Sequence, residues 1–209
     1  MTTRLLPAVY TGLPLRLLDC SSCALYHALR QQQEEQGHQQ APVTSSGVMS
    51  FVLDAITGAV VVGGATENLV PFPLLRKLHE SFASVSQETP RWAAWNTLVA
   101  DDRLVVLALP CEVPQLMQEF PQYKRLCMCV PSGPLVSRML FQHKHLEAFY
   151  AEDLGPAMTA LASAGGYSWT AWLRSSLTCR FEGLYVPAIR VAESAAHLLS
   201  ADGGCERVV

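Results

Sequence analysis

The sequence predicts an α/β (α+β) fold, one compact domain whose middle is a mixed sheet of two β-hairpins with helices between and around them. Three observations carry this. Apolar, β-branched runs at 49–62 and 92–109 are each interrupted by turn residues. Between them Leu75, Leu78, Phe82 and Val85 recur at i, i+3, i+7 and i+10, the spacing of one helix face. Half of the 209 residues are hydrophobic and only 16% are charged, a core-rich composition that needs no metal or disulfide to hold it.

The first helix begins at Asp19, a good N-cap residue, and Cys23, Ala24, Leu25, Ala28 and Leu29 supply its apolar side. Residues 37–46 form a polar loop. Met49–Leu53 and Ala59–Val62 read as two strands joined by a turn at 54–58, where Gly58 supplies the positive φ of the reversal. Asn68, Pro71 and Pro73 open the helix that carries Leu75 and Leu78. The second hairpin pairs 92–100 with 104–109 across Asp101-Asp102-Arg103. Its second run, LVVLAL, is apolar throughout, as expected of a central strand buried on both faces. A helical turn at 113–120 leads to a fifth strand at 126–130. Ser132 and Pro134 open a helix running to Tyr150. Beyond it the sequence predicts a helix at 156–164 closed by Gly165-Gly166, a helical turn carrying Trp169 and Trp172, a half-exposed strand at 177–182 and a final helix at 187–199.

The net charge of -3, the pI near 6.1 and the absence of any basic run argue against nucleic acid as a partner. The first 18 residues are broken by Pro7 and Pro14 and do not read as a signal peptide, and no apolar stretch reaches the ~20 residues that span a bilayer. Seven cysteines, an odd number without an export signal, point to reduced thiols and a cytoplasmic location, or the cytosolic face of an endomembrane reached through a complex.

The order from Asp19 to Tyr150 is helix, strand, strand, helix, strand, strand, strand, helix. This resembles the Roadblock family and its longin relatives, with Gly47-Val48, Gly58 and Gly63-Gly64 around the first hairpin and Leu126-Cys127-Met128 before the long helix matching Ragulator-type members. The resemblance implies a five-stranded antiparallel sheet with flanking helices over 1–150, related also to profilin-like folds, with 151–209 as a C-terminal α/β extension packed on that core. It further implies a non-enzymatic scaffold or adaptor that dimerises, with a related subunit or a small GTPase as partner in a trafficking or motor assembly. The interface residues it points to are Leu25 and Leu29 on the first helix. Trp92 and Trp95 join them, because on a strand they have opposite parity and one would remain exposed as an anchor.

The motif with most chemical content is Cys20-Ser-Ser-Cys23. At a helix N-terminus a CxxC can support redox chemistry, and with Cys127 and Cys129 it has the count for a four-sulfur zinc site. Against redox stands the lack of a long apolar strand before the motif. Against zinc stands the CxC at 127–129, read as sending its side chains to opposite faces. Structural cysteines are the leading reading, so no catalytic, cofactor or metal residue is assigned, and a thiol-redox or zinc protein and a small-molecule sensor remain as alternatives. His143 and His145 lie about 200° apart on a predicted helix and cannot chelate together. His79 reads as exposed. Gly63–Thr66 lacks the spacing of a phosphate loop, and Asp101-Asp102 is explained by a turn.

Overall fold

The computed structural model describes residues 18–35, 46–83, 90–141, 145–176, 179, 183, 186–200 and 204–209. The elements are β1 Leu18–Asp19, α1 Ser21–Glu35, α2 Ser46–Val61, β2 Glu67–Pro71, α3 Phe72–Ala83, α4 Pro90–Ala100, β3 Leu104–Ala108, α5 Val113–Glu119, β4 Arg125–Pro131, α6 Pro134–Leu140, α7 Leu146–Phe149, α8 Gly155–Ala164, β5 Ser168–Arg174, α9 Ala188–Leu198 and β6 Cys205–Val208. A 3-10 turn at Pro110–Glu112 precedes α5, and a π-turn at Tyr150–Leu154 joins α7 to α8.

All six strands are parallel and lie in the sheet in chain order. This overturns the five-stranded antiparallel sheet expected above, and with it the fold that the Roadblock resemblance implied. The main core packs helices against one side of the sheet, while Cys23, at the start of α1, reaches the other. The other side is buried only if the sheet curls. The side chains record that curl. Glu67 on β2 meets Arg207 on β6 at 2.8 Å, although four strand spacings would separate those strands by ~19 Å in a flat sheet.

The two expected hairpins fail for one reason. Residues 46–61 form α2, in which Met49, Val52, Leu53, Ile56 and Val60 make a buried stripe at helical spacing. Residues 90–100 form α4, opened by Pro90 and burying Trp92, Trp95 and Leu98. Both segments are rich in residues of high β propensity, but such propensity is worth little beside the burial of a contiguous apolar face. The turn at 101–103 is present and carries Asp102 at φ +53, yet it joins a helix to a strand.

The strands at 104–108 and 125–131 form as expected, the first buried on both faces, and α1, α8 and α9 occupy their expected segments; α3 begins only at Phe72, because Asn68 and Pro71, expected to open it, lie on β2. Gly165, at φ +64, ends α8 in the left-handed conformation a glycine adopts without strain. Trp169 and Trp172 lie on β5, where a helical turn was expected. The long helix at 132–150 is divided into α6 and α7. The strand expected at 177–182 falls largely outside the described residues; within it Cys179 bridges to Gly183. Residues 37–45 of the expected polar loop and His143 also lie outside them, while Ser46 opens α2. Because β5 pairs with β4 over seven residues and β6 with β5, the sheet runs through the boundary expected at 150/151.

The convex side of the sheet, from Val70, Val106, Met128, Val130, Ala171 and Leu173, packs under the helices to form the main core. Leu69, Val105 and Cys127 form a second, smaller core on the concave side with Cys23 of α1.

Candidate functional site

Two regions could carry function: the enclosed concave face and the rim at the C-terminal ends of the strands, where parallel α/β sheets place their sites. On the concave face, Glu67 and Arg125 lie toward the N-terminal ends of their strands, and Arg207 reaches Glu67 from β6, where it pairs level with Thr170 and Cys127. Glu67 is 2% exposed and its two carboxylate oxygens accept from Arg125 at 2.6 Å and Arg207 at 2.8 Å. Burial pushes its carboxyl up, but the hydrogen bonds and charges of the two guanidinia outweigh burial and hold it below the usual carboxylate range. A carboxylate so held is a clamp across the curl and a poor proton shuttle.

Thiols lie beside the clamp, Cys127 level with Arg207. Burial raises Cys23 to about 12, against a smaller lowering from Ser22, and raises Cys129 to about 11, against Arg174. Cys127 is raised further, again by burial. Such groups stay protonated at neutral pH and are poor nucleophiles. Cys23 faces the Leu69 carbonyl at 3.7 Å, and the Ser22 hydroxyl donates to that same carbonyl. Cys20 is exposed while Cys23 is buried. Against the expectation above, the CxC at 127–129 does not send its side chains to opposite faces. Residues two apart on a strand share a face, so Cys127 and Cys129 both project to the concave side. Even so, among the described residues no group of three or more His, Cys, Asp or Glu side chains is arranged to hold a metal.

Other expected features resolve locally. Gly63–Thr66 follows a helix, not a strand, and Arg103 donates to the carbonyls of Ala65 at 2.9 Å and Thr66 at 3.2 Å. His79 is half-buried in an aromatic cluster with Trp92, Phe120 and Tyr123, which corrects its reading as exposed. The Trp95 indole donates to the Tyr123 oxygen at 2.9 Å, leaving the phenol hydrogen for His79 Nε2 at 2.7 Å. Burial accordingly lowers the His79 pKa, favouring the neutral ring. His145 precedes α7 and pairs with Arg138 at 2.9 Å. Leu25 and Leu29 are partly buried against the main core, and Trp92 and Trp95, three apart on a helix, are both buried in it. Neither Trp is the exposed anchor expected of a strand, because on α4 both turn to the same buried side.

The rim is different in character. β3 is followed by Leu109, 36% exposed, whose N–H donates to the Glu112 carboxylate of the next 3-10 turn at 2.7 Å. β4 ends in Pro131 and leads to α6, which exposes Leu135, Met139 and Leu140. Leu109 and Leu140 line one shallow depression with Pro110, Cys111, Phe141, Phe149 and Asp153. Ser132 donates to the Ser175 carbonyl at 3.0 Å and ties the ends of β4 and β5 together. The rim is thus a braced apolar surface. Nothing in the hydrophobic periodicity of 109–140 separates these exposed residues from core ones, because the helix they occupy is only seven residues long.

The fold and the rim define a parallel α/β protein with a curled sheet and an apolar lip at its strand ends. No protein-family model matches the chain, and no curated protein matches it. No helix among the described residues is long and apolar enough to cross a membrane.

Proposed function

We propose that the chain is a non-enzymatic interaction subunit whose apolar rim docks an apolar segment of a partner protein. The observation that carries this is the exposure of Leu109, Leu135, Met139 and Leu140 at the C-terminal ends of β3 and β4. Exposed apolar patches on folded chains mark interaction surfaces. The small-GTPase, trafficking and motor partners expected above came with the Roadblock resemblance, whose antiparallel sheet the parallel strand order replaces. The test is affinity capture with the wild type and with Leu109→Asp/Met139→Asp. Loss of a reproducible partner in the variant, with an unchanged thermal melt, supports the reading. Retention of every partner by the variant overturns it.

A second reading, a small-molecule sensor, has its own observation. A cavity of about 270 Å³ lies between the π-turn and α9, lined by Tyr150, Leu154, Gly155, Met158, His197, Leu198 and Ser200. The Tyr150 and His197 rings meet edge to face at 5.2 Å, and π-turns concentrate at functional sites. A fragment that raises the melting temperature of the wild type but not of Met158→Trp, which fills the space, supports this reading. No such fragment from a broad set counts against it.

A further inference from the structure

The outer face of α2 is apolar and is shaped to match a second copy of itself. The helix buries Met49, Val52, Leu53, Ile56 and Val60. Its opposite side presents Gly47, Phe51, Asp54, Gly58, Val61 and, in the turn that continues it, Val62. Phe51 is 62% exposed, Val61 67% and Val62 87%. Surface helices normally turn charged residues outward; here Asp54 is the one charge on the outward face, and Arg91 of α4 pairs with it at 2.8 Å.

The two glycines bear on what covers this face. Gly47 is the second residue of α2, in its first turn. Glycine inside a helix is destabilising relative to alanine, so Gly58 calls for a steric reason. Gly63 has one inside its own chain: a Cβ there would lie 2.7 Å from the Ala59 carbonyl oxygen. A Cβ at Gly47 or Gly58 would meet nothing within 4 Å. The space at both positions opens outward.

Bulk and space are also placed symmetrically. Turn one α2 antiparallel to another about a point between Asp54 and Ala55. Phe51 of each then falls opposite Gly58 of the other, and Val62 opposite Gly47. The helical rise spreads the four large-into-small contacts over ~22 Å of shared axis. A single two-fold axis satisfies all four, as an isologous interface requires. A partner of different sequence would give no reason for the gaps to share a centre with the knobs. Asp54 of both copies would meet near that centre, each already neutralised by its Arg91.

We propose that the chain forms a two-fold dimer through the exposed face of α2, with Phe51 seated over Gly58 of the second copy. This deepens the reading as an interaction subunit, and rests on it in taking the chain to be part of an assembly, but it uses a face separate from the rim. The experiment is sedimentation and light scattering of the full chain across a concentration series, for the wild type, Phe51→Glu, Gly58→Leu and the rim variant Leu109→Asp/Met139→Asp. The wild type and the rim variant should be dimers. Phe51→Glu should weaken dimerisation by at least ~30-fold, the scale of an interface hot spot. Gly58→Leu fills the space from the other side and should do the same with native helix content by circular dichroism. It therefore decides the case if Phe51→Glu fails to fold. A wild type that is monomeric at every concentration, or a dimer that survives both α2 variants, overturns the proposal. So does a monomer whose Phe51→Glu variant loses a different protein partner. A dimer that persists while the rim variant keeps all its partners separates failure of the rim reading from failure of this one.

Discussion

Glu67 is the residue on which the concave side depends. Removing its carboxylate leaves Arg125 and Arg207 facing one another in a partly enclosed space, and breaking a buried pair from one side costs about 3 kcal/mol. Glu67→Ala should lower stability by that order in urea unfolding. The pH dependence follows from the direction of the shift. The folded pKa lies below the unfolded one, so the contribution is complete above the unfolded value of ~4.3 and is lost as pH falls through the folded value. Glu67→Gln should flatten the wild-type loss of stability below pH ~4, and an unchanged acid limb would argue that the pair does not hold the curl. The cysteines divide at the same scale. Cys20 and Cys111 are exposed, while Cys23, Cys127, Cys129, Cys179 and Cys205 are buried. Iodoacetamide on the native protein should label the first two within minutes and the rest only after denaturation, as read by peptide mass spectrometry. Rapid native labelling of Cys23 would reopen the thiol chemistry.

At the scale of elements, α4 is held by what its tryptophans touch. Trp92 stacks on Trp95 with ring centroids 6.1 Å apart and on Phe82 at 5.3 Å. Trp95, wholly buried, links to β4 and α3 through Tyr123 and His79. Trp95→Ala removes a large buried side chain and leaves the Tyr123 hydroxyl without its donor, so a loss of about 4 kcal/mol is expected from thermal or urea unfolding. Trp95→Phe should lose less, since it keeps most of the packing. The His79 ring adds a second pH limb. Its folded pKa is lowered by burial, so the unfolded chain takes up a proton first as pH falls below ~6.5 and stability declines from there. In His79→Gln the decline between pH 7 and pH 5 should be shallower.

For the molecule as a whole, the curl is closed by its last strand. β6 pairs with β5 and carries Arg207 back to β2, and the two partners of that ion pair are 140 residues apart in the chain. Truncation before residue 204 removes the strand and half of the clamp and opens the edge of β5, whose Trp169 and Ala171 are buried in the main core. The shortened protein should melt well below the full chain and aggregate on heating, because an uncovered strand edge is a template for pairing. A truncated protein with the full chain's melting temperature would show that β6 is dispensable and that the curl is set by β2 to β5 alone.

Several features could be read without any structure because they are local. The 3.6 period of α3, the Asp19 start of α1, where the Asp19 carboxylate accepts from the Ser21 N–H at 3.1 Å, the fully apolar runs of β3 and β4 and the turn at Asp101-Asp102 all follow from neighbours within a few residues. The errors lie where the local signal has two readings. A β-branched run such as 48–62 fits a hairpin by propensity and a helix by the spacing of Met49, Val52, Ile56 and Val60, and only burial against α3 and α4 selects the helix. Parallel or antiparallel pairing was beyond reach once those helices were taken for strands, since whether a connection is a turn or a crossover determines strand direction. The rim and the Glu67 clamp were invisible for a related reason. Single exposed leucines look like core leucines in sequence, and Glu67, Arg125 and Arg207 have no spacing that marks them as partners until the sheet curls. The sequence by itself determined the coarse class, an α/β protein with a buried central strand. Tertiary structure decided the strand directions, the ion pair and the exposed faces, because each depends on contacts between segments distant in the chain.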